Sequence, residues 1–256
     1  MVDRSPRIAL LIDADNSPAA KIGVILNELS TFGETSIRRA YGNWKKQELR
    51  GWEEVLNEHA IRPMQQFDYS KGKNASDMAM VVDALDVLYS ERPEAFGIVS
   101  SDADFTPLVM YLRAKGAAVY GFGGQKTPEP FVNACSRFLF LDTLGKVATT
   151  DADVDEAMRE DTAATPLRVP TAKLKQDRKL VDLLRNAVEA AKGESGWARV
   201  GAVGQQIGNQ ASFDSRNYGY ATLTKLLKAT ELFQLEKEGT SEVAVRDGRS
   251  GRGAKG

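Results

Sequence analysis

Two short apolar segments of this chain each end in a pair of aspartates. Residues 8–16 read IALLIDADN and residues 98–105 read IVSSDADF. Such a run is typical of a buried parallel strand, and the residues just past its end lie at the sheet edge where open α/β folds bind ligands. Carboxylates brought together there repel one another unless a cation neutralises them. The pattern predicts an acidic metal site that contains Asp13, Asp15, Asn16, Asp102 and Asp104.

The chemistry of such a site matches magnesium or manganese. Both ions favour oxygen ligands, usually one or two carboxylates together with waters and substrate phosphate. Asp13 and Asp102 are the strongest candidates because each ends an apolar strand. Asp104 is predicted either to bind metal or to cap the helix that follows it. Asp15 is expected to face solvent or brace the loop, and Asn16 to form a turn, to orient a carboxylate or to hold a substrate phosphate.

Asp77 is a further candidate for this site. It lies in the first turn of a helix predicted to begin at Asn74, where a carboxylate favours the helix dipole whatever else it does. That helix falls between the predicted third and fourth strands. Spacing alone brings Asp77 to the other acids only if the chain crosses back over the sheet.

The composition excludes several other kinds of site. One cysteine, Cys135, excludes an internal disulfide framework and a cysteine metal cluster, and fits a reducing, cytoplasmic setting. The single histidine, His59, is expected to be a surface or helix-end residue. No apolar run approaches the roughly 20 residues of a membrane span, and the N-terminus does not resemble a signal peptide.

The charge distribution predicts two domains with different roles. Residues 1–165 carry 18 Lys and Arg against 25 Asp and Glu, whereas residues 166–256 carry 16 against 10. A basic C-terminal part is a candidate surface for an anionic partner. The predicted organisation is a catalytic domain over 1–148, an acidic and proline-containing linker over 149–172, a second domain over 173–247 and a flexible tail over 248–256.

The order of elements predicts the fold of each domain. In the first, strands alternate with helices, which favours a mostly parallel sheet with helices on both faces. Ser17 and Pro18 are predicted to start its first helix. The helix after Asn74 carries apolar side chains at helical spacing, which we predict to face inward: Met78, Val82, Leu85 and Tyr89. In the second domain, three helices and a hairpin in about 75 residues predict a winged helix-turn-helix.

Three segments together resemble the NYN family of PIN-like ribonuclease domains: IDADN at 12–16, KGKNASD at 71–77 and SSDADF at 100–105. The resemblance covers roughly residues 7–142. It implies a PIN-like α/β/α sandwich and divalent-metal-dependent hydrolysis of RNA, with Mg²⁺ or Mn²⁺. It also implies roles for individual residues. These are Asp13, Asp77 and Asp102 as metal ligands, Asp104 as a fourth acid, Asn16 and Ser101 as polar neighbours, and Lys71 and Lys73 as phosphate contacts or as part of a solvated loop.

Residues 213–220, FDSRNYGY, and the leucine-rich helix after them resemble an OST-HTH (LOTUS) domain over about 174–246. This resemblance implies RNA binding, with protein partners in some members. Arg216, Tyr218 and Tyr220 suit stacking on unpaired bases, although both tyrosines could instead pack on the small core. Lys225 is expected to contact phosphate or to lie on a solvated face. The sequence leaves open whether the chain forms a homodimer.

The leading functional prediction is therefore a metal-dependent ribonuclease whose second domain holds RNA. One alternative is a catalytically weak RNA-binding scaffold. The other is a HAD-like phosphatase, because an apolar strand that ends in Asp-x-Asp is its signature; there the first aspartate is a nucleophile and forms a covalent phosphoenzyme.

Overall fold

The computed structural model describes residues 4–67, 75–144, 168–240 and 242–249. It divides into two compact units, residues 1–142 and 143–256. The predicted linker at 149–172 and the tail at 248–256 fall mostly outside the described residues. The bounds predicted for these four segments stay predictions.

The first unit alternates strands with helices. Its strands are β1 (Arg7–Asp13), β2 (Glu34–Gly42), β3 (Arg62–Gln65), β4 (Ala95–Val99), β5 (Ala118–Gly123) and β6 (Arg137–Phe140). Its helices are α1 (Ile22–Ser30), α2 (Trp52–Glu58), α3 (Ala75–Ser90), α4 (Thr106–Ala114) and α5 (Glu129–Ala134). The central strand β1 is fully buried from Ile8 to Ile12, as expected for a strand covered by helices on both faces. The predicted α/β class is confirmed.

The strand order places the ends of β1 and β4 at a reversal in the path of the chain. The six strands are parallel in the order β3-β2-β1-β4-β5-β6. The chain therefore moves outward from β1 to β3 before it crosses back to β4. In open α/β sheets, ligands bind in the crevice outside such a switch point. The crossing is made by α3, which packs on β1 and β2 and begins at the carboxyl edge of the sheet.

The buried face of α3 is not the one predicted. Its inward side chains are Met80, Ala84, Val87 and Leu88. The predicted inward stripe faces outward: Met78, Val82 and Tyr89 are exposed and Leu85 is only partly buried. The prediction was wrong because this helix has two apolar stripes, and helical periodicity cannot decide which of them meets the sheet.

The first helix also begins later than predicted. A 3-10 turn over Ala19–Lys21 precedes α1, and Pro18, not Ser17, is the residue before that turn. The Ser17 hydroxyl instead donates to the carbonyl oxygen of Val99 at 3.3 Å and so links the end of β1 to the end of β4. The predicted cap Asn74 lies outside the described residues.

The second unit combines helices with a small antiparallel sheet in the order β7-β9-β8. The predicted helix over 173–191 is two helices, because the Asp177 side chain accepts the backbone N–H of Leu180 and starts a new one. The elements are α6 (Thr171–Gln176), α7 (Arg178–Ala190), β7 (Ala198–Arg199), α8 (Val200–Gln210), α9 (Leu223–Thr230), β8 (Phe233–Glu236) and β9 (Ala244–Asp247). Helices followed by a β-hairpin confirm the predicted winged helix.

Among the described residues, no helix has the length and apolar character needed to cross a membrane.

Candidate active site

Asp13 is the buried centre of the acidic cluster. It is the last residue of β1, and only 1% of its surface is exposed. Its carboxylate accepts hydrogen bonds from the Asn16 amide at 3.1 and 3.3 Å and from the Ser100 hydroxyl at 3.0 Å. Burial raises the pKa of Asp13, and these two neutral donors only partly oppose that effect. The predicted role of Asn16 in orienting a carboxylate agrees with these contacts.

The loop after β4 holds Asp102 next to Asp13. Ser100 bridges them: its hydroxyl donates to Asp13 and accepts the backbone N–H of Asp102 at 3.1 Å. Asp102 caps the 3-10 turn over Ala103–Phe105 by accepting the N–H of Asp104 at 2.8 Å. The capping role predicted for Asp104 was therefore wrong, because Asp102 already closes this turn and α4 starts at Thr106 without a side-chain cap. The Asp104 carboxylate is left exposed at the rim of the cluster.

A close approach of β5 supports this loop from the other side. A Cβ atom at Gly123 would lie 2.7 Å from the carbonyl oxygen of Ser100, so only glycine lets the strand pass. Ser101, the predicted polar neighbour, accepts the backbone N–H of Gly124 at 2.9 Å. Its hydroxyl thus anchors the loop to the end of β5.

Asp77 reaches the same site through the crossing of α3. Burial and the negative charges of Asp13, Asp102, Asp15 and Asp104, in that order, raise the pKa of Asp77 to about 6. An effect from all four acids requires the five carboxylates to share one region of space. The strand order β3-β2-β1-β4 supplies the crossing that local spacing could not predict.

Asp15 braces this arrangement, and two of its partners were missed from the sequence. Its carboxylate accepts hydrogen bonds from Lys46 at 3.0 Å and from the Ser76 hydroxyl at 3.1 Å. Because Ser76 precedes Asp77, this contact ties the first turn of α3 to the end of β1. Lys46 stands in no recognisable motif, and its only signal was its place after the carboxyl end of β2. Ser76 lies within the KGKNASD segment, but no role was predicted for it.

The donor set fits a divalent cation, although the side chains are not gathered around one point. In the described part of the chain, no lysine or arginine forms an ion pair with Asp13, Asp77, Asp102 or Asp104. The negative charge that raises the pKa of Asp77 is therefore only partly balanced within the described residues, by the ion pair between Lys46 and Asp15. No group of three acidic, histidine or cysteine side chains among residues 4–67, 75–144, 168–240 and 242–249 is placed to hold a metal by itself. Mg²⁺ tolerates this, because it keeps waters and takes substrate oxygens as ligands.

Comparison with known proteins identifies the two units. The family model of the NYN domain matches residues 7–142, which is more than half of the chain. The chain belongs to the NYN family. A second family model, the OST-HTH/LOTUS domain, matches residues 173–245. Both predicted resemblances are confirmed. The first match indicates a PIN-like nuclease domain, and the second indicates an RNA-binding module.

Individual relatives add little about activity. An uncharacterized protein of Methanocaldococcus jannaschii is 29% identical over 123 residues, which cover 46% of this chain and 48% of the relative. The match thus spans about half the length of that relative. A crystal structure of a protein of unknown function from Vibrio parahaemolyticus aligns with a TM-score of 0.47 at 17% identity, covering 55% of this chain and 95% of the other.

In the OST-HTH unit, the residues predicted to contact RNA also have structural contacts. The Arg216 guanidinium donates to the Asp214 carboxylate at 2.9 and 2.8 Å. Tyr220 is 8% exposed and its hydroxyl donates to the carbonyl oxygen of Val169 at 2.9 Å. Burial raises the pKa of Tyr218 to about 12. Both tyrosines pack on the core of this unit, and their role in RNA contact stays a prediction.

Two predicted groups remain without a structural outcome. Lys71 and Lys73 of the NYN domain lie outside the described residues. Lys225 lies in the first turn of α9, and its backbone N–H is capped by the Thr222 hydroxyl at 3.2 Å. His59 lies at the C-terminal end of α2.

Proposed function

We propose that this protein is a metal-dependent ribonuclease that hydrolyses RNA phosphodiesters at the acidic cluster of its NYN domain. The predicted ligands of Mg²⁺ or Mn²⁺ are Asp13, Asp77, Asp102 and Asp104. One observation carries the proposal: acids from three separate elements meet at the switch point of the sheet, and together they raise the pKa of Asp77 to about 6. A cluster of this kind is stabilised by a divalent cation.

Each residue of the cluster has a separate task in this proposal. Ser100 and Asn16 hold the Asp13 carboxylate in one orientation, which prepares it as a ligand. Asp77 of α3 and Asp102 of the loop after β4 would add negative charge, and the exposed Asp104 would orient a water. A bound divalent cation would lower the pKa of that water and neutralise charge on the phosphate. No histidine or cysteine nucleophile is required.

Cations and an aromatic ring beside the cluster support RNA as the substrate. Lys45 and Lys46 follow β2, and Phe67 follows β3, all at the carboxyl edge of the sheet. Phe67 is 45% exposed, with the Lys45 ammonium 5.0 Å from its ring centre. A lysine beside an accessible ring suits the phosphate and base of an unpaired nucleotide. Lys71 and Lys73 are predicted to extend this group.

The OST-HTH domain is proposed to hold the RNA. Its sequence carries an excess of positive charge, and Arg216, Tyr218, Tyr220 and Lys225 are the predicted contacts. The same domain could instead bind a protein partner, as it does in some members of its family. A reducing, cytoplasmic setting is part of the proposal because the chain has one cysteine, and this cysteine is buried.

The test is cleavage of end-labelled single-stranded and hairpin RNA by the full chain in Mg²⁺, Mn²⁺ or EDTA. Asp102→Asn keeps an oxygen that can cap its turn but removes the charge, and we expect it to lower the cleavage rate by at least about 100-fold. Asp142→Asn is the matched control, because Asp142 also accepts a backbone N–H at this sheet edge, from Gln125 at 2.9 Å. Cleavage in EDTA, or equal rates for wild type and Asp102→Asn, would refute the proposal.

One observation favours a second candidate, an RNA-binding platform with little activity. It is that no three acidic, histidine or cysteine side chains of the described residues are placed to hold a metal. Tight RNA binding by the wild type without cleavage in either metal would support this candidate. Hydrolysis of a small phosphate ester through a phosphorylated Asp13 would instead revive the HAD-like alternative.

A further inference from the structure

The NYN unit has an apolar surface that its own fold does not cover. Six large apolar side chains are exposed in the described residues, and five of them lie on α3 and α4. Met78, Val82 and Tyr89 of α3 are 62%, 63% and 55% exposed, and Met110 and Tyr111 of α4 are 61% and 40% exposed. Single exposed apolar residues are ordinary, but a cluster of five marks an interaction surface.

The five side chains lie on the outer sides of two helices, and we call this surface the α3/α4 face. Met78, Val82 and Tyr89 share one side of α3, since they are four and seven residues apart. The Tyr89 and Tyr111 hydroxyls form a hydrogen bond, which joins α3 to α4 across this surface. The opposite side of α3 is buried against the sheet. A helix that is apolar on both sides is typical of a helix covered on both sides.

The two edges of the α3/α4 face carry opposite charges. Residues 75–90 contain three aspartates and no lysine or arginine, whereas residues 106–115 contain Arg113 and Lys115 and no acid. Asp83 pairs with Arg39 of β2, so the exposed Asp86, three residues later, lies on the flank of α3 away from α4. Arg113 donates to the carbonyl oxygen of Ala134 at the end of α5, which places it on the flank of α4 away from α3.

This arrangement is complementary to itself. A two-fold axis parallel to the helices would bring the acidic edge of one copy against the basic edge of the other, with the apolar side chains between them. Interfaces of this isologous kind are the commonest in homo-oligomers. We propose that the α3/α4 face binds a second copy of this chain, with Asp86 of each copy opposite Arg113 of the other.

The proposed dimer has a consequence for the acidic cluster. An axis along the helices keeps the helices of the two copies parallel, so their amino ends lie at the same end of the dimer. Met78, at one end of the face, directly follows Asp77. Both acidic clusters would then open on the same side of the assembly, where one RNA strand could meet both.

The test is the oligomeric state of the full chain, measured by sedimentation velocity over a hundredfold range of concentration. We expect a dimer for the wild type and a monomer for Val82→Glu. Phe67→Glu is the matched control, because Phe67 is the sixth exposed apolar side chain and lies outside the α3/α4 face; it should leave the dimer intact. Circular dichroism confirms that each variant is folded.

A charge exchange tests the orientation of the two copies. Asp86→Lys alone and Arg113→Glu alone should each weaken dimerisation at least tenfold, because like charges then face each other across the interface. The double variant should restore it to within about threefold of wild type. A monomeric wild type, or a dimer unaffected by Val82→Glu, would refute the interface. Failure of the double variant to recover would refute the two-fold arrangement.

Discussion

The two units of this protein differ in how their aspartates are neutralised. In the OST-HTH domain, the buried Asp214 is paired with Arg216 of the same loop. In the NYN domain, the buried Asp13 accepts hydrogen bonds from the neutral donors Asn16 and Ser100 and has no cationic partner among the described residues, while the acids around it carry further negative charge. The Asp214 carboxylate thus has its counter-charge within its own loop, whereas we propose that the Asp13 carboxylate obtains one from a bound cation. Burial alone therefore does not distinguish these two aspartates; the charge of their partners does.

The largest expected effect is on activity in the NYN domain. Asp13→Asn should lower RNA cleavage by about 1000-fold or more, because a ligand charge is lost. The free energy of unfolding should change by less than about 1 kcal/mol, since burial already disfavours the charged form of Asp13. Rates on labelled RNA and urea denaturation check the two parts. Normal cleavage by Asp13→Asn, or its unfolding, would contradict the proposal that Asp13 serves activity while Asp214 serves stability.

The opposite outcome is expected for Asp214→Ala in the OST-HTH domain. This change removes the cap on the backbone N–H of Arg216 and leaves the Arg216 guanidinium without its carboxylate. The second unit should lose roughly 3 kcal/mol of stability. Denaturation followed by Trp197 fluorescence, in a chain with the other tryptophans replaced by phenylalanine, reports on this unit. Unchanged stability would mean that the Asp214–Arg216 pair is not structural.

A smaller effect concerns pH and the crowding of negative charge around Asp77. Its pKa is about 6 in the folded protein, against an ordinary value of 3.8. The folded chain therefore holds a proton that the unfolded chain releases, so this group's contribution to stability falls as pH rises from about 4 to 7. In EDTA, Asp77→Asn should be more stable than wild type at pH 7.5 by on the order of 1 kcal/mol, after allowance for solvent screening. The difference should vanish below pH 4.

Thermal unfolding of the two proteins at pH 3.8 and 7.5 measures this difference. Added Mn²⁺ should reduce it at pH 7.5 by stabilising wild type more than the variant. A difference of the same size at both pH values would show that Asp77 is not destabilised by its acidic neighbours.

The smallest effect is expected at the surface of the OST-HTH domain. Lys225→Ala should weaken RNA binding only a few-fold and reduce the slope of log affinity against log salt by about 1, as for the loss of one phosphate contact. Fluorescence anisotropy with a single-stranded RNA at several salt concentrations measures both quantities. Lys179→Ala, on α7 of the same unit, is the control. An equal effect of both changes would mean that RNA binding does not depend on α9.

Local patterns in the sequence were enough to predict part of this site. The ends of β1 and β4 were recognisable because an apolar strand followed by aspartates is a local signal, and Asp13 and Asp102 do come together there. Asn16 was predicted for the same reason. The parallel α/β class followed from the alternation of strands and helices, without any knowledge of how the strands are ordered.

The remaining features depend on contacts between distant parts of the chain. The place of Asp77 follows from the crossing of α3 over β1 and β2, and no local pattern encodes strand order. The inward face of α3 was predicted wrongly because two apolar stripes compete, and the contact with the sheet selects one of them. Asp104 was wrongly predicted to be a cap, because Asp102, two residues earlier, already caps this turn by accepting the backbone N–H of Asp104.

The most direct test of the central claim is calorimetric titration of the full chain with Mn²⁺ at pH 7.5, with and without a short RNA. We predict binding by the wild type and by Asp142→Asn, and its loss in Asp13→Asn and Asp102→Asn. Equal Mn²⁺ binding by all four proteins, or no binding by the wild type even with RNA present, would contradict the assignment of the acidic cluster as a metal centre.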